Sequence, residues 1–534
     1  MVITTRKDPT HGLFHVPSKA EREQLRAGAP LNPIKIFAML SGIQWAWFLC
    51  GLFCWIMDSY DFFAVSLSVS KLVVTFYGIP PEEKNATNEA VKKINYAVML
   101  TLLFRSLGAV VFGILSDRFG RRWVLSINMV IVAALSLGTA YADTYSKFLA
   151  VRSIFGIGMG GIWGMSTATA LENMPPAARG LCSGILQQGY AMGYLIAAAV
   201  NLGWANKANH GEGNWQVLFY LGAGLSLLAG IVRAILPEST KFLEQKRLRQ
   251  LQPASKTPIR SFFTELKDML KEHWATCIYA VLLMTGFNFF SHSSQDLYPT
   301  MLQKAKLLTA NQSSIATIIS NCGAITGGLC AGYLSQYIGR RLAMLAFIIF
   351  AGCMIPVWIL PNSFGGLAAG GFLVQVGVQG AWGVIPVYLS EISPAAFRAT
   401  FPGLAYQLGN MASSASSTIE TRGGQNITIK DPKHPGQNIP DYATVSAILL
   451  ACVAVYLIVL VIFGFERRGN ELGIDDHIEG TNAESVIAQA KGHDIEAAHS
   501  GSDNNAFIND SQDYERTTDV HLNSDQSSDK KVQT

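Results

Sequence analysis

Charge is scarce in this chain. Asp, Glu, Lys and Arg make up 15% of its 534 residues, and 41 basic against 37 acidic side chains leave a formal net charge of +4. So small an excess over such a length provides no basic surface for nucleic acid. Cysteine is sparse as well. The eight residues Cys50, Cys54, Cys182, Cys277, Cys322, Cys330, Cys353 and Cys452 all fall in apolar segments, without zinc or haem spacing. That argues against a disulfide framework and against a resident metal. Cys50 and Cys54 share a helical face and read as buried free thiols. The first residues, to about Asn32, hold no apolar core followed by a cleavage site, so a cleaved signal peptide is not expected. No nucleophile–base constellation stands out, so neither an enzyme nor a cofactor is expected. What the chain has in quantity is apolar residues, half of the total, and 49 glycines. That composition describes an integral membrane protein with small residues at its helix crossings.

Apolar segments occur at roughly 43–70, 94–115, 123–142, 148–171, 181–203 and 215–236, and again at 274–300, 313–334, 343–361, 365–389, 400–419 and 442–465. Each is long enough to cross a hydrocarbon core of about 30 Å. The expectation is an all-α membrane protein of twelve transmembrane helices. Its parts would be an N-terminal tail (1–42), a six-helix half (43–236), a middle loop (237–273), a second six-helix half (274–465) and a disordered C-terminal tail (466–534). An even number of spans puts both ends on one side. The short basic connections at Arg118–Arg122, Arg179, Arg340–Arg341 and Arg398, and the stretch Lys241 to Lys271, share that side, which is therefore expected to be cytosolic. The acceptor triplets Asn85-Ala-Thr, Asn311-Gln-Ser and Asn426-Ile-Thr fall in loops assigned outside, whereas Asn509-Asp-Ser sits in the cytosolic tail.

The two halves repeat. Gly113-Ile-Leu-Ser-Asp-Arg-Phe-Gly-Arg-Arg122 follows the second span and Gly332-Tyr-Leu-Ser-Gln-Tyr-Ile-Gly-Arg-Arg341 the eighth, an offset of 219 (332 − 113). The same offset links Trp163 to Trp382, Glu172 to Glu391, Arg179 to Arg398 and Gln188 to Gln407. Parallel six-span repeats are the architecture of major facilitator transporters, and the chain resembles that superfamily. Gly113 to Arg122 looks like its signature loop between spans two and three. Asp117 can pair with arginines or with a neighbouring helix end. With Arg121, Arg122, Glu172, Arg179, Arg340, Arg341, Glu391 and Arg398 it reads as a cytosolic gate, an electrostatic latch distinct from the substrate site. Gln336 replaces Asp117 in the second copy, so the latch there is weaker.

Intramembrane polar residues are costly, roughly 2.5 kcal/mol or more for a charge, and so mark function or pairing. Span four carries Arg152, placed near its outer end where it can snorkel, and a Gly156-x-Gly158-x-x-Gly161 pattern. No strand precedes that pattern, so helix packing explains it better than a dinucleotide site. Span one carries Asp58 and Asp61, three apart and nearly on one face, as proton carriers or as partners of Arg105 or Arg152. Arg105, near the middle of span two, can grip a carboxylate bidentately. In span eleven Gln407 and Asn410 share a face, to bind substrate or to bridge helices. The most informative stretch is Asn288 to Thr300, NFFSHSSQDLYPT, in span seven. Four-residue spacing puts Asn288, His292 and Asp296 on one stripe, with Ser291 and Gln295 beside it and a kinking Pro299 at its end. It either faces a watered interior or forms a polar helix–helix contact.

The pattern Asn288, Ser291, His292, Ser294, Gln295, Asp296, Thr300 resembles the signature of the fungal Jen-type lactate permeases, in the sialate:proton symporter group. With the two-half fold the resemblance covers about residues 40 to 466. It implies uptake of short monocarboxylates such as lactate, pyruvate and acetate across the plasma membrane, coupled to protons; some relatives take dicarboxylates such as succinate and malate. It maps important polar positions onto Asn288, His292, Asp296, Arg105, Gln407 and Asn410. The expected cycle has a carboxylate pairing with Arg105, oriented by Asn288, Gln407 and Asn410, while a proton binds near His292 and Asp296 or on Asp58 or Asp61. His292 titrates near working pH and either carries that proton or only orients Asp296. The expected partners are the carboxylate, the proton and membrane lipid. Another class remains open: a non-transporting nutrient sensor. The polar tail Gly469 to Thr534 reads as disordered, with Lys491, Lys530 and Lys531 as points for ubiquitin or phosphate control, or as a merely solvated tail.

Overall fold

The ends of the helices are written in short polar signals. In a computed structural model that describes residues 32–78, 84–205, 214–251, 267, 270–394, 397–430, 438–464 and 466, Ser41 with Gln44 and Thr309 with Gln312 form reciprocal capping boxes at the starts of spans one and eight. Each satisfies N–H groups that the first helical turn leaves without partners. Thr144 and Ser363 cap spans four and ten in the same way, and they too lie 219 residues apart (363 − 144).

Among the described residues, ten helices are long and apolar enough to cross a membrane. Span one is Gly42–Tyr77, span two Lys84–Phe119, span three Arg121–Ala140 and span six Gln216–Ile235. Span four runs Tyr145–Gly160 and continues as Ile162–Leu171. In the second half span seven is Trp274–Gln295, span eight Ala310–Ile338, span nine Arg340–Ile359, span ten Phe364–Gly383 continued by Ile385–Ile392, and span twelve Tyr442–Phe463. The fifth and eleventh helical paths are present but interrupted. The fifth is Pro176–Gln187 then Gly189–Val200, ending in a π turn at Asn201–Ala205; the eleventh is Thr400–Ser413 then Ser416–Asn426. The eleventh breaks in a Ser-rich run, where the Ser413 and Ser414 hydroxyls donate back to the Asn410 and Met411 carbonyls. Such back-bonding competes with the helix ladder. Span seven ends before its proline: Asp296 and Leu297 leave the helix, and Pro299 sits in the short turn Tyr298–Thr300. A proline at 299 has no N–H to give to the carbonyl four residues earlier, and its ring crowds that carbonyl, so the helix cannot run through it undisturbed.

Two short strands, Thr428–Lys430 and Asn438–Pro440, pair antiparallel between the eleventh and twelfth helical paths. Asn311 and Asn426 are exposed. Asn509, the Asn85 side chain, most of the basic stretch between Lys241 and Lys271, and the tail with Lys491, Lys530 and Lys531 lie outside the described residues. The eight cysteines are free, with Cys50, Cys54 and Cys182 buried.

The repeated loops have one geometry. Gly120 and Gly339 adopt φ of 104° and 98°, a region essentially closed to residues with a Cβ. Each turns the chain between two helices, and each is followed by an acidic cap from elsewhere. Glu238 accepts from the Arg122 N–H at 2.9 Å, and Glu466 accepts from Arg340 and Arg341 N–H at 2.9 and 3.0 Å. A Cβ at Gly120 would collide with the Glu238 carboxylate, whereas at Gly339 the nearest atom stands 3.6 Å away. Gly339→Ala is therefore expected to cost about 1–3 kcal/mol in backbone strain alone. Gly120→Ala should cost more, because it also dislodges a cap; thermal unfolding of the detergent-solubilised variants checks the order.

Candidate functional site

The face carrying the basic loops is bridged by bonds between the two halves. Asp117 accepts from the backbone N–H of Ala399 and Thr400 at 3.1 and 2.8 Å and from the Thr400 hydroxyl at 2.7 Å. A carboxylate is thus set on the first turn of the eleventh helical path, where the helix dipole favours negative charge. Arg121 lies 3.3 Å from Asp117 and 3.3 Å from Glu172, and Arg398 stands 3.8 Å from Glu172. In the second copy Gln336 makes the corresponding contact with the fifth path, donating to the Pro176 carbonyl at 2.9 Å and accepting from Gly180 N–H at 3.3 Å. Arg340 holds Glu391 through two nitrogens at 2.9 and 3.1 Å. Arg122 bonds the Ala234 carbonyl, Arg341 the Val461 and Ile462 carbonyls, and Arg179 that of Met174. The residues expected to form the latch therefore sort into contacts between the halves (Asp117, Gln336 and the Arg398–Glu172 ion pair) and bonds within a half.

Deeper in the first half, four ionisable groups are enclosed. Arg105 and Asp58 form an ion pair at 2.6 Å, with side chains 4% and 1% exposed. The pair is incomplete: one Asp58 oxygen and the Arg105 Nε lack partners. Gly160 packs so closely on span two that a side chain there would strike the Arg105 carbonyl. Asp61 takes other partners, accepting from Ser136 and Ser226 hydroxyls at 2.9 and 3.2 Å. Three-residue spacing puts Asp58 and Asp61 on nearby faces, but different neighbours cover them. Arg152 does not snorkel, contrary to expectation. It is 2% exposed and stacked over Phe155, with its Nε and one terminal nitrogen unbonded. Its guanidinium is near enough to Asp58 and Asp61 to balance their charge inside the bundle.

The polar row of span seven faces protein. His292 Nδ1 lies 3.1 and 3.2 Å from the two Asp296 oxygens, and Nε2 lies 3.5 Å from Asn410 Oδ1. Asn410 donates to Gln407 Oε1 at 3.2 Å, and Gln407 Nε2 reaches the Gly160 carbonyl at 3.5 Å. Ser106, the neighbour of Arg105, donates to the Gln407 carbonyl at 3.1 Å. A continuous polar chain therefore leads from Asp296 across the eleventh path to the helix turn that holds Arg105. Asn288 donates to the Met284 and Tyr406 carbonyls at 2.8 and 3.4 Å. The other side of the row is a seam with span ten. Gln295 donates to Gln375 at 2.9 Å, Gln375 to Ser294 at 2.9 Å, and Gln379 to Ser291 at 3.0 Å. Gln375 and Gln379 were not anticipated, although four-residue spacing of two glutamines in an apolar segment is the signal that marks span seven.

An aromatic layer lies beside this chain. Tyr406 stacks on Trp163 at 4.7 Å and meets Trp382 and Trp55 edge-on at 5.9 and 6.2 Å. The two tryptophans related by the repeat thus converge on one tyrosine. Aromatic pairs of this kind hold a rigid apolar wall. No cluster of His, Cys, Asp or Glu suited to a metal occurs among the described residues.

Residues 47–474 match the sugar (and other) transporter family, and the chain belongs to that family of major facilitator transporters. It is 32% identical over 453 residues to a carboxylic acid transporter protein homolog of Saccharomyces cerevisiae, covering 83% of this chain and 71% of that one. It is 25% identical to a probable 4-methylmuconolactone transporter of Cupriavidus pinatubonensis, covering 73% and 83% of the two chains. Among solved structures, a proton:xylose symporter bound to 6-bromo-6-deoxy-D-glucose superposes with a TM-score of 0.60 at 19% identity, over 78% of this chain and 96% of the other. That likeness establishes the fold. The protein is a multi-pass membrane transporter and not an enzyme.

The Asp117 contacts generate a test. Asp117→Asn cannot accept the two N–H groups and the hydroxyl with a full charge. Charge-assisted bonds are worth about 1.5–3 kcal/mol each, so amide hydrogen exchange over residues 399–403 should accelerate roughly tenfold or more. Unchanged exchange would remove Asp117 from the latch.

Proposed function

We propose that the protein is a proton-coupled symporter that imports short-chain monocarboxylates, such as lactate, pyruvate and acetate, across the plasma membrane, with the basic loops and both tails facing the cytosol. The observation that carries this reading is the Arg105–Asp58 pair, joined through the adjacent Ser106 to the end of the Asp296–His292–Asn410–Gln407 chain. The family membership and the printed name of the yeast relative support a carboxylate substrate.

The chemistry follows from competition. Arg105 presents one fork, and Asp58 occupies part of it. An incoming carboxylate must displace Asp58, which would leave an unpaired carboxylate enclosed at a cost of about 3–5 kcal/mol. A proton on Asp58 removes that penalty. Anion and proton then load together, and the filled site closes without stranded charge. Asn288, Gln407 and Asn410 supply amide groups for orientation, and Tyr406 with its tryptophans supplies an apolar wall for a short chain. His292 and Asp296 exchange the proton with the outer water; the Asp296 side chain is 36% exposed, against 13% for His292. The two halves then rock about the site.

A dicarboxylate substrate is the second reading, favoured by Arg152, a second enclosed guanidinium with free nitrogens. Competition of lactate, pyruvate, succinate and malate against labelled lactate, at two external pH values, separates the two readings. Monocarboxylate transport predicts inhibition by pyruvate and little by succinate or malate.

His292→Ala and Asp296→Asn are expected to abolish proton-driven accumulation while leaving surface expression intact; normal accumulation would refute their role. Arg105→Lys should lower kcat/KM at least about tenfold, because a point charge cannot reproduce the fork that grips a carboxylate through two bonds. Asp58→Asn should keep substrate exchange but lose accumulation, read as counterflow against uptake driven by a pH gradient.

A further inference from the structure

Glu420 lies on the second segment of the eleventh helical path, beyond Gln407 and Asn410. It is 0% exposed, and neither carboxyl oxygen has a hydrogen-bond partner among the described residues. Its surroundings are charged on one side only. Span seven brings His292 and Asp296 within electrostatic reach, and span twelve brings Ser446 beside it. On its own helix Arg422 is exposed. Among the described residues no Lys or Arg is paired with Glu420, which lies within electrostatic reach of the His292–Asp296 couple.

The enclosure has a physical consequence. An ionised carboxylate with no partner in an apolar interior is strongly disfavoured, whereas a carboxylic acid in the same place is tolerated. Hydrophobic burial of an acid with no bonding partner contributes nothing to a helix interface that Leu or Met would not supply better. The arrangement suits a group that takes up a proton in one conformation and releases it in another.

We infer that Glu420 is a proton-holding site coupled to the His292–Asp296 pair, the inner member of a three-group relay on the outer side of the substrate. Asp296 is the member in contact with water, and Glu420 the one sealed from it. With Glu420 protonated, the imidazolium and the Asp296 carboxylate neutralise each other. When the proton moves from the Glu420 carboxyl oxygen to the Asp296 carboxylate, the charge reappears on Glu420, beside the imidazolium, and must be hydrated or repaired by helix movement. The break at Ser414–Ala415 between its segment and the Gln407 segment is the place in the eleventh path where such movement is least opposed by helix hydrogen bonds. This inference rests on the proton-symport reading, and the test is built so that the two can fail separately.

The test uses the full-length protein reconstituted in lipid vesicles. Infrared difference spectra of wild type minus Glu420→Gln at neutral pH are expected to contain a protonated-carboxyl stretch that the variant lacks. In the same vesicles E420Q should keep lactate counterflow within about twofold of wild type while losing at least about tenfold in uptake driven by a pH gradient. Glu420→Asp, which retains an acid, should keep coupling with a displaced pH optimum. No carboxyl band attributable to Glu420, or an E420Q protein with the wild-type pH profile and accumulation, would overturn the inference. Equal loss of counterflow and driven uptake in both E420Q and E420D would assign Glu420 a packing role and overturn it as well. Failure of wild-type vesicles to couple lactate to protons would instead remove the symport reading, and the infrared band would then be judged alone.

Discussion

The constraint on which the structure depends is that charge inside the bundle has to be matched. Arg105 and Asp58 meet it as a close pair with one free valence on each side. With Asp61 and Arg152, this cluster in the first half encloses two acids and two bases. Only Asp61 is satisfied by fixed hydroxyls. The other three are held near balance by each other, so a change in any one is felt by the rest. In a low-dielectric interior such coupling is strong. On the proposed reading, a site with this property answers an added anion by demanding an added proton, which is the requirement of a symporter. Replacing the ion pair with apolar residues of equal volume would be no loss to stability; its retention is better understood as a cost tolerated for function.

The second half contributes differently. It holds no enclosed cation near the first half's cluster among the described ion pairs; it offers amides and an imidazole. The row on span seven is divided in two by its neighbours. Ser291, Ser294 and Gln295 are fixed to Gln375 and Gln379 of span ten, and this locks the rotation of span seven. Asn288, His292 and Asp296 are left facing the eleventh path. The seam therefore aims the face proposed as functional, and the helix–helix contact expected of a polar row is made by the other residues of the row. Across the midline, Trp163 and Trp382 press on Tyr406, so the repeat supplies a symmetric apolar floor under an asymmetric polar site.

Much of this was legible in the residues. The 219-residue offset located two loops whose glycines share one positive-φ turn, and it paired the two tryptophans before they were seen to converge. Helical spacing identified the face of span seven. Spacing tells which residues share a face, however, and not what covers it. Asp58 and Asp61 share a face in the sequence yet bond to different helices. Arg152 sits where an arginine could reach water but is walled in by Phe155. The caps Glu238 and Glu466 lie far along the chain from the N–H groups they serve. The fifth and eleventh paths read as plain apolar runs, although local side-chain bonding interrupts the eleventh. Glu420 was missed because it follows a Ser-rich stretch at the weak end of an apolar run, where burial cannot be inferred from composition.

The central claim is that an anion and a proton cross together because Arg105 cannot serve Asp58 and a substrate at once. It is tested most directly by recording labelled lactate and luminal pH simultaneously in vesicles holding the purified protein, with no initial pH gradient. The account predicts luminal acidification that saturates with lactate, follows its entry at a fixed ratio, and disappears in Asp58→Asn while exchange continues. Saturable lactate entry with no change in luminal pH, or an Asp58→Asn protein with an unchanged proton-to-lactate ratio, would contradict it.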